Sequence, residues 1–285
     1  MSQAAPRASV IVPTWESFAS KKGSVELVLA SLFRQNVDGF EIIVADDGSP
    51  DGTAERLERF RRERPRHVSF RLLRLRHTGN RSTVRNRGVR LSRSNVLVFM
   101  DDDTLFLSDD GLGRLVGSVR RGAFACGAAR HWSHLDWDSR TVGERLRAGD
   151  YRSLEGRSLC PRGLKTGSQG FSAEYSYISN CGAVHRSDFL KLGGFEEEGY
   201  GGWGLEDVDL MLRLLVAGAR LVNVHEAIRV LHLTHPMDAA GHGRKEENVR
   251  RYRLRERELG YRLDGHRLFG VSKGRILRPL KGRVR

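Results

Sequence analysis

Short, continuously apolar segments alternate with amphipathic ones over the first hundred residues. Ser9–Pro13 reads Ser-Val-Ile-Val-Pro, Glu41–Ala45 reads Glu-Ile-Ile-Val-Ala, and Asn95–Met100 reads Asn-Val-Leu-Val-Phe-Met. Val68–Leu75, which is interrupted by Ser69, Arg71 and Arg74, reads as a further strand. A strand with one wet face alternates apolar and polar residues, whereas an unbroken apolar run belongs to a strand covered on both faces. Between these runs, Val25, Val28, Leu29, Leu32 and Phe33 fall on one face of a helix. Thr53–Glu63 and Thr83–Leu91 read as two more helices. Strand–helix–strand order with such strands predicts an α/β fold, a mostly parallel sheet flanked by helices. Ligands of such sheets sit beyond the carboxyl ends of the strands. Two acidic clusters stand there, Asp46-Asp47-Gly48-Ser49 and Asp101-Asp102-Asp103. The pattern therefore predicts Asp46, Asp47, Asp101 and Asp103 on one rim.

The second half is less regular. Phe124–Trp132, Tyr177–His185, Arg220–Val224 and Ile228–Leu233 read as strands. Ser187–Leu192 reads as a short helix with Ser187 as its cap. Leu205–Ala217 is a strong helix, with Leu205, Val208, Leu212 and Leu215 on one face and Gly218 at its end. Ser133–Ser172 is polar and irregular and reads as a long loop region, a lid or a ligand-binding element.

Charge is unevenly placed. The 285-residue chain carries a net +14, from 49 basic and 35 acidic residues. Residues 244–285 hold 15 basic and 5 acidic residues, a net of +10, so the other 243 carry only +4. Such a basic helical tail can meet an anionic membrane, nucleic acid or an acidic polymer, or it can be a solvated extension. No apolar run approaches the roughly 18 residues that a spanning helix needs, and Met1–Ser9 lacks signal-peptide order. Cys126, Cys160 and Cys181 are odd in number and form no C-x-x-C pair, which argues against a disulfide framework or a structural zinc site. The expectation is a cytoplasmic protein, peripheral at most at the inner membrane face.

Several constellations can carry chemistry. Asp101 and Asp103, alternate residues after a strand, can offer hard oxygen ligands to Mg2+ or Mn2+, or the triad can be a solvated turn. Asp46-Asp47-Gly48 is a turn by composition and needs the other cluster beside it to do more. Gly199-Tyr-Gly-Gly-Trp-Gly204 formally spells G-x-G-x-x-G, but no buried strand precedes it and Glu206-Asp207 follows, which would repel a pyrophosphate. It reads better as a loop presenting backbone and the Trp203 indole, or Trp203 is core. Glu206, Asp207 and Asp209 complement a helix N-terminus, but three acids within four residues exceed that need, and one can serve as a general base. His232 and His235, three apart on a strand, face opposite sides, so that at most one is expected to bind a metal.

Taken in order, Val10–Glu16, Ile43–Thr53, Arg85-Asn-Arg-Gly88 and Val98–Asp103 resemble the motifs of family 2 glycosyltransferases with the GT-A (Rossmann-like) fold. Asn180–Arg186, Gly193-Gly-Phe195 and Gly202–Asp209 are similar to the acceptor region of β-1,4-galactosyltransferases. The resemblance implies a metal-dependent, inverting transfer of a hexose from a nucleotide diphosphate sugar, UDP by default, to a hydroxyl of a glycan, lipid-linked glycan or natural product. It implies that Pro13, Thr14, Glu16, Asp46, Asp47, Arg85, Asp101 and Asp102 bind the donor nucleotide. It places Trp203, Gly204 and Glu206 at the sugars, Asp207 as catalytic base, and Asp103 with His232, or failing that His235, on Mn2+ or Mg2+. The implied organisation is a catalytic domain over 1–243, divided into a nucleotide-binding half (1–105) and an acceptor-binding half (106–243), followed by the basic extension 244–285. Glu16 stands where the family often has Asn, and Gly79–Val84 is more basic and polar than usual. Two rivals are a sugar nucleotidyltransferase, which needs a Gly-rich basic loop where Pro13-Thr-Trp-Glu-Ser17 stands, and a non-catalytic binder of nucleic acid or anionic polymer, for which no recognition motif is present.

Overall fold

The computed structural model describes residues 5–132, 137–156, 158–159, 178–202, 204–224, 227–235, 244–263 and 277–280. Its strands are β1 (Ser9–Thr14), β2 (Glu41–Asp46), β3 (Ser69–Arg74), β4 (Val96–Met100), β5 (Thr104–Phe106), β6 (Ala123–Cys126), β7 (Ala128–Trp132), β8 (Ser158–Leu159), β9 (Gly182–His185), β10 (Arg220–Asn223), β11 (Arg229–His232), β12 (Tyr261–Leu263) and β13 (Leu277–Pro279). Its helices are α1 (Ser17–Ser20), α2 (Ser24–Phe33), α3 (Thr53–Arg62), α4 (Arg81–Leu91), α5 (Gly111–Gly117), α6 (Ser139–Ala148), α7 (Tyr151–Gly156), α8 (Ile178–Cys181), α9 (Arg186–Lys191), α10 (Glu206–Val216) and α11 (Lys245–Leu259).

Among the described residues the main sheet has the order β10-β6-β9-β4-β1-β2-β3. It is parallel except for β9, which runs antiparallel to both β4 and β6. The fold is therefore the expected mostly parallel α/β sheet. The unbroken apolar runs have the expected cause. Val10, Val12, Ile42, Val44, Val98 and Met100 join the core under α2. Ile11, Leu97 and Phe99 join the opposite core with Phe189, Phe195, Leu210 and Met211. Each strand thus buries alternate residues on opposite faces. Helix α4 lies so close over β1 that a Cβ on Gly88 would come within 2.7 Å of Ile11 Cγ2.

A smaller sheet, β5-β11-β7-β8, stands beside the first. Phe124–Trp132 is not one strand but two, β6 in the main sheet and β7 in the small one, separated at Gly127. Tyr177–His185 is also corrected. Tyr177 lies outside the described residues, Ile178–Cys181 form a helical turn, and only Gly182–His185 is strand. The turn runs directly into β9 because Gly182 has no Cβ, which would meet the Ile178 backbone at 2.6 Å. Helix α9 starts one residue before the expected cap, and His185 Nδ1, rather than Ser187, accepts the first-turn N–H, that of Ser187. The 133–172 segment is not all loop. It contains α6, α7 and β8, and Val142 and Leu146 of α6 are buried in the core. Residues 133–136, 157 and 160–172 of it lie outside the described residues.

Helix α11 of the basic tail packs on α10. Tyr252 is buried with Val208 and Leu212. Arg255 Nε donates to Asp209 Oδ1 at 2.9 Å and its Nη2 to Glu196 Oε2 at 2.6 Å, while Arg213 Nε donates to Asp209 Oδ2 at 2.6 Å. Asp209 is fully buried, and these two guanidiniums, with the Tyr200 hydroxyl donating to its Oδ1 at 3.2 Å, compensate its burial. No described helix is long and apolar enough to cross a membrane. Asp209→Ala removes the shared partner of two arginines and is expected to lower unfolding free energy by about 3–5 kcal/mol. A urea titration that leaves the midpoint unmoved would show that Arg255 and Arg213 are satisfied without it.

Candidate functional site at the strand carboxyl ends

Strand β4 stops at Met100, and Asp101 accepts from Thr104 N at 3.2 Å in a turn. The strand's alternation therefore does not run through the triad, and each carboxylate has its own partners, with Lys21 shared between Asp102 and Asp103. Asp101 accepts from Arg85 Nη2 at 2.9 Å. Asp102 accepts from Thr14 Oγ1 at 2.7 Å and from Lys21. Asp103 faces Lys21 Nζ at 3.2 Å, His235 Nε2 at 3.1 Å and His232 Nε2 at 3.4 Å. Asp103 is nearly covered, with 5% of its side chain exposed, while 25% of Asp101 is open. Burial alone would raise the Asp103 carboxyl, but Lys21, His232 and His235 together hold it well below the usual range. Burial raises Asp101 against the pull of Arg85.

The expectation that His232 and His235 part company is overturned. Strand β11 ends at His232, so the alternation that would separate them does not extend to His235. Asp103, His232 and His235 offer one oxygen and two nitrogens, all within 4.8 Å of one another. A carboxylate with two imidazoles is a mixed oxygen–nitrogen set, which a first-row transition-metal dication accepts more readily than Mg2+, which prefers oxygen alone.

The remaining residues expected at the donor site divide. Thr14 reaches the triad. Pro13 is half-buried within β1, one residue before it. Asp46 accepts from Ser49 N at 3.3 Å, and Asp47 accepts from Thr78 N at 2.9 Å and Gly79 N at 3.0 Å. Their carboxylates shape the turn after β2 and hold the loop before α4. Glu16 sits in the left-handed region at φ 49° and donates its N–H to Ser49 Oγ at 2.9 Å. Trp15 stacks on His77, ring centroids 5.0 Å apart, across the same edge.

Arg85 joins this rim to the second half of the chain. It is fully buried, and its Nη1 donates to Glu206 Oε1 at 2.8 Å while Nη2 holds Asp101. Glu206 and Asp207 open α10 behind Leu205, which has φ 77°. Asp207 accepts from Ser179 Oγ at 3.0 Å and from Val208 N at 2.7 Å. Burial, with the charge of Glu206 beside it, pushes the Asp207 carboxyl up to about 7 against the opposing Arg85. A buried carboxyl titrating there can exchange a proton with a ligand hydroxyl near neutral pH. Trp203 lies outside the described residues. The loop around it is held from α11, where Asn248 Nδ2 donates to Gly201 O at 3.0 Å and to Gly204 O at 3.1 Å, and its Oδ1 accepts from Gly201 N at 3.2 Å. Lys21, Ser179 and Asn248 are site residues that the sequence did not reveal. The one local hint was Lys21's place beside Lys22 in a chain with 42 Arg and seven Lys.

The chain belongs to glycosyl transferase family 2, whose family model matches residues 9–177. A second model, the N-terminal domain of galactosyltransferase, matches residues 162–236. The uncharacterized glycosyltransferase YfnE of Bacillus subtilis is 28% identical over 273 residues, 81% of this chain and 65% of that protein. This chain thus spans just under two thirds of that relative's length. The mannosyltransferase PcManGT of Pyrobaculum calidifontis, solved with GDP-Man and Mn2+, superposes with a TM-score of 0.55 at 17% identity, over 90% of this chain and 64% of that one. TarS 1-349 of S. aureus, solved with UDP-GlcNAc, gives a TM-score of 0.55 at 16% identity, over 81% of this chain and 59% of that one. At these identities the two structures establish a shared fold.

Folded Asp207 titrates near 7 against 3.8 for a free Asp. Between those values the folded state keeps a proton that the unfolded state has lost. The group therefore favours the fold at low pH, and that contribution is lost as pH rises through 7. Relative to Asp207→Asn, wild type is expected to lose about 2–3 kcal/mol between about pH 5 and pH 8. Chemical denaturation of both proteins at the two pH values checks this, and parallel pH profiles would contradict it.

Proposed function

We propose that the protein transfers a hexose from a nucleotide diphosphate sugar, a UDP-sugar by default, to a hydroxyl of a glycan, lipid-linked glycan or natural-product acceptor, with inversion at the anomeric carbon. The observation that carries this reading is the meeting of Asp101–Asp103, Arg85 and Glu206-Asp207 at the strand carboxyl ends of a family 2 chain. Pro13, Thr14, Glu16, Asp46 and Asp47 line the nucleotide side. Asp101 and Asp102 face the ribose and diphosphate, with Arg85 fixing Asp101. Asp103, His232 and His235 would hold Mn2+, which when bound neutralises charge on the leaving diphosphate. Trp203, Gly204 and Glu206 meet the sugars.

Asp207 acts as general base. It removes the acceptor hydroxyl's proton as that oxygen bonds to the anomeric carbon, and the bond from that carbon to the diphosphate oxygen breaks on the opposite face. Its raised pKa suits a base working near neutrality. In this reading residues 1–105 hold the donor, 106–243 the acceptor, and 244–285 lie outside the chemistry. GDP-Man with Mn2+ in one fold relative and UDP-GlcNAc in another support the donor class.

Calorimetric titration with UDP, GDP and dTDP, each with and without Mn2+, tests the donor site. One nucleotide is expected to bind only with Mn2+, and Asp103→Ala is expected to abolish that binding; metal-independent binding, or none to folded protein, sinks the reading. Asp207→Asn is expected to cut transfer about a hundredfold to ten-thousandfold with nucleotide affinity kept. A product retaining the donor's anomeric configuration would remove the base from Asp207.

A further inference from the structure

Lys21 has no place in the roles set out above, yet its ammonium is among the charges closest to the Asp–His cluster. It follows α1 in a turn whose next residues, Lys22 and Gly23, have φ 51° and 76°. Its Nζ donates to Asp102 and, at 3.2 Å, to Asp103 Oδ2. His235 Nε2 approaches the same Oδ2 at 3.1 Å, and His232 Nε2 approaches Oδ1 at 3.4 Å. Only 15% of the Lys21 side chain is exposed, so the contact is weakly screened by solvent. An ammonium on a flexible stem is a point charge with rotatable donors and can change partners.

We propose that Lys21 is a resident counter-ion of the metal site, one that must give up Asp103 to a divalent cation and then serves the donor's diphosphate. The inference rests on the donor reading above. With a dication on Asp103, the ammonium beside the same oxygen is repelled. A diphosphate drawn to that dication brings the negative charge that the ammonium has lost. Lys21 therefore weakens metal binding alone and strengthens nucleotide binding with metal. A residue that only held the loop in shape would not act with opposite signs on the two ligands.

The test titrates Mn2+ into wild type, Lys21→Met and Lys21→Arg without nucleotide, then titrates UDP into each at saturating Mn2+. Lys21→Met is expected to bind Mn2+ about tenfold more tightly and UDP about tenfold more weakly, and Lys21→Arg to return both toward wild type. Lys21→Gln, which keeps a donor for Asp103 without the charge, is expected to repeat the Lys21→Met pair of changes if the methionine variant folds poorly. Unchanged or weaker Mn2+ binding in the neutral variants overturns the inference. If wild type still needs Mn2+ to bind UDP, the donor reading survives that result; if no variant binds Mn2+, both fall together.

Discussion

The guanidinium of Arg85 is the joint on which the site depends. It lies fully buried between Asp101, at the end of β4, and Glu206, at the start of α10. Those carboxylates come from halves of the chain more than a hundred residues apart, and neither tolerates burial beside the other without a cation between them. Phe195 adds an aromatic face 5.3 Å from the guanidinium carbon. Removing the charge would leave two carboxylates in a poorly solvated place, so the geometry of the rim and the stability of the fold rest on one residue.

Helix α4 carries more than Arg85 across that boundary. Asn86 Nδ2 donates to Phe195 O at 2.8 Å and its Oδ1 accepts from Phe195 N at 3.1 Å, while Asn80 caps the helix and donates to Glu197 O at 2.8 Å. Thr83 Oγ1 donates to Glu197 Oε2 at 2.8 Å. One face of a single helix thus sets where the 195–200 segment lies, and with it the entry to α10. Asp207 then sits where burial works against its charge. That is a stability cost of the kind catalytic sites carry.

The strands were legible because their apolar runs answer to two covered faces, and the acidic clusters were legible because they follow those strands. Ile178 and Cys181 misled because a buried helical turn and a buried strand look alike over four residues. Only the close approach permitted by Gly182 separates them, and that is a tertiary fact. His232 and His235 misled because alternation was carried past the end of β11. Lys21 was hidden because its partners lie 81 and 82 residues away, beyond any local pattern. The basic tail read either as a surface for an anionic partner or as a solvated extension because Asp209 and Glu196, which neutralise Arg255, are distant in sequence and close in space.

The two family models together end at residue 236, whereas the side-chain amide that holds both flanks of Trp203 belongs to residue 248. A fragment cut at the family boundary would keep every recognisable motif and lose the hand that holds the glycine loop. Its Gly201 and Gly204 carbonyls would turn to water, and Asp209 would keep one arginine instead of two. The folded unit therefore extends at least through α11, and Arg255 of the tail is part of its architecture.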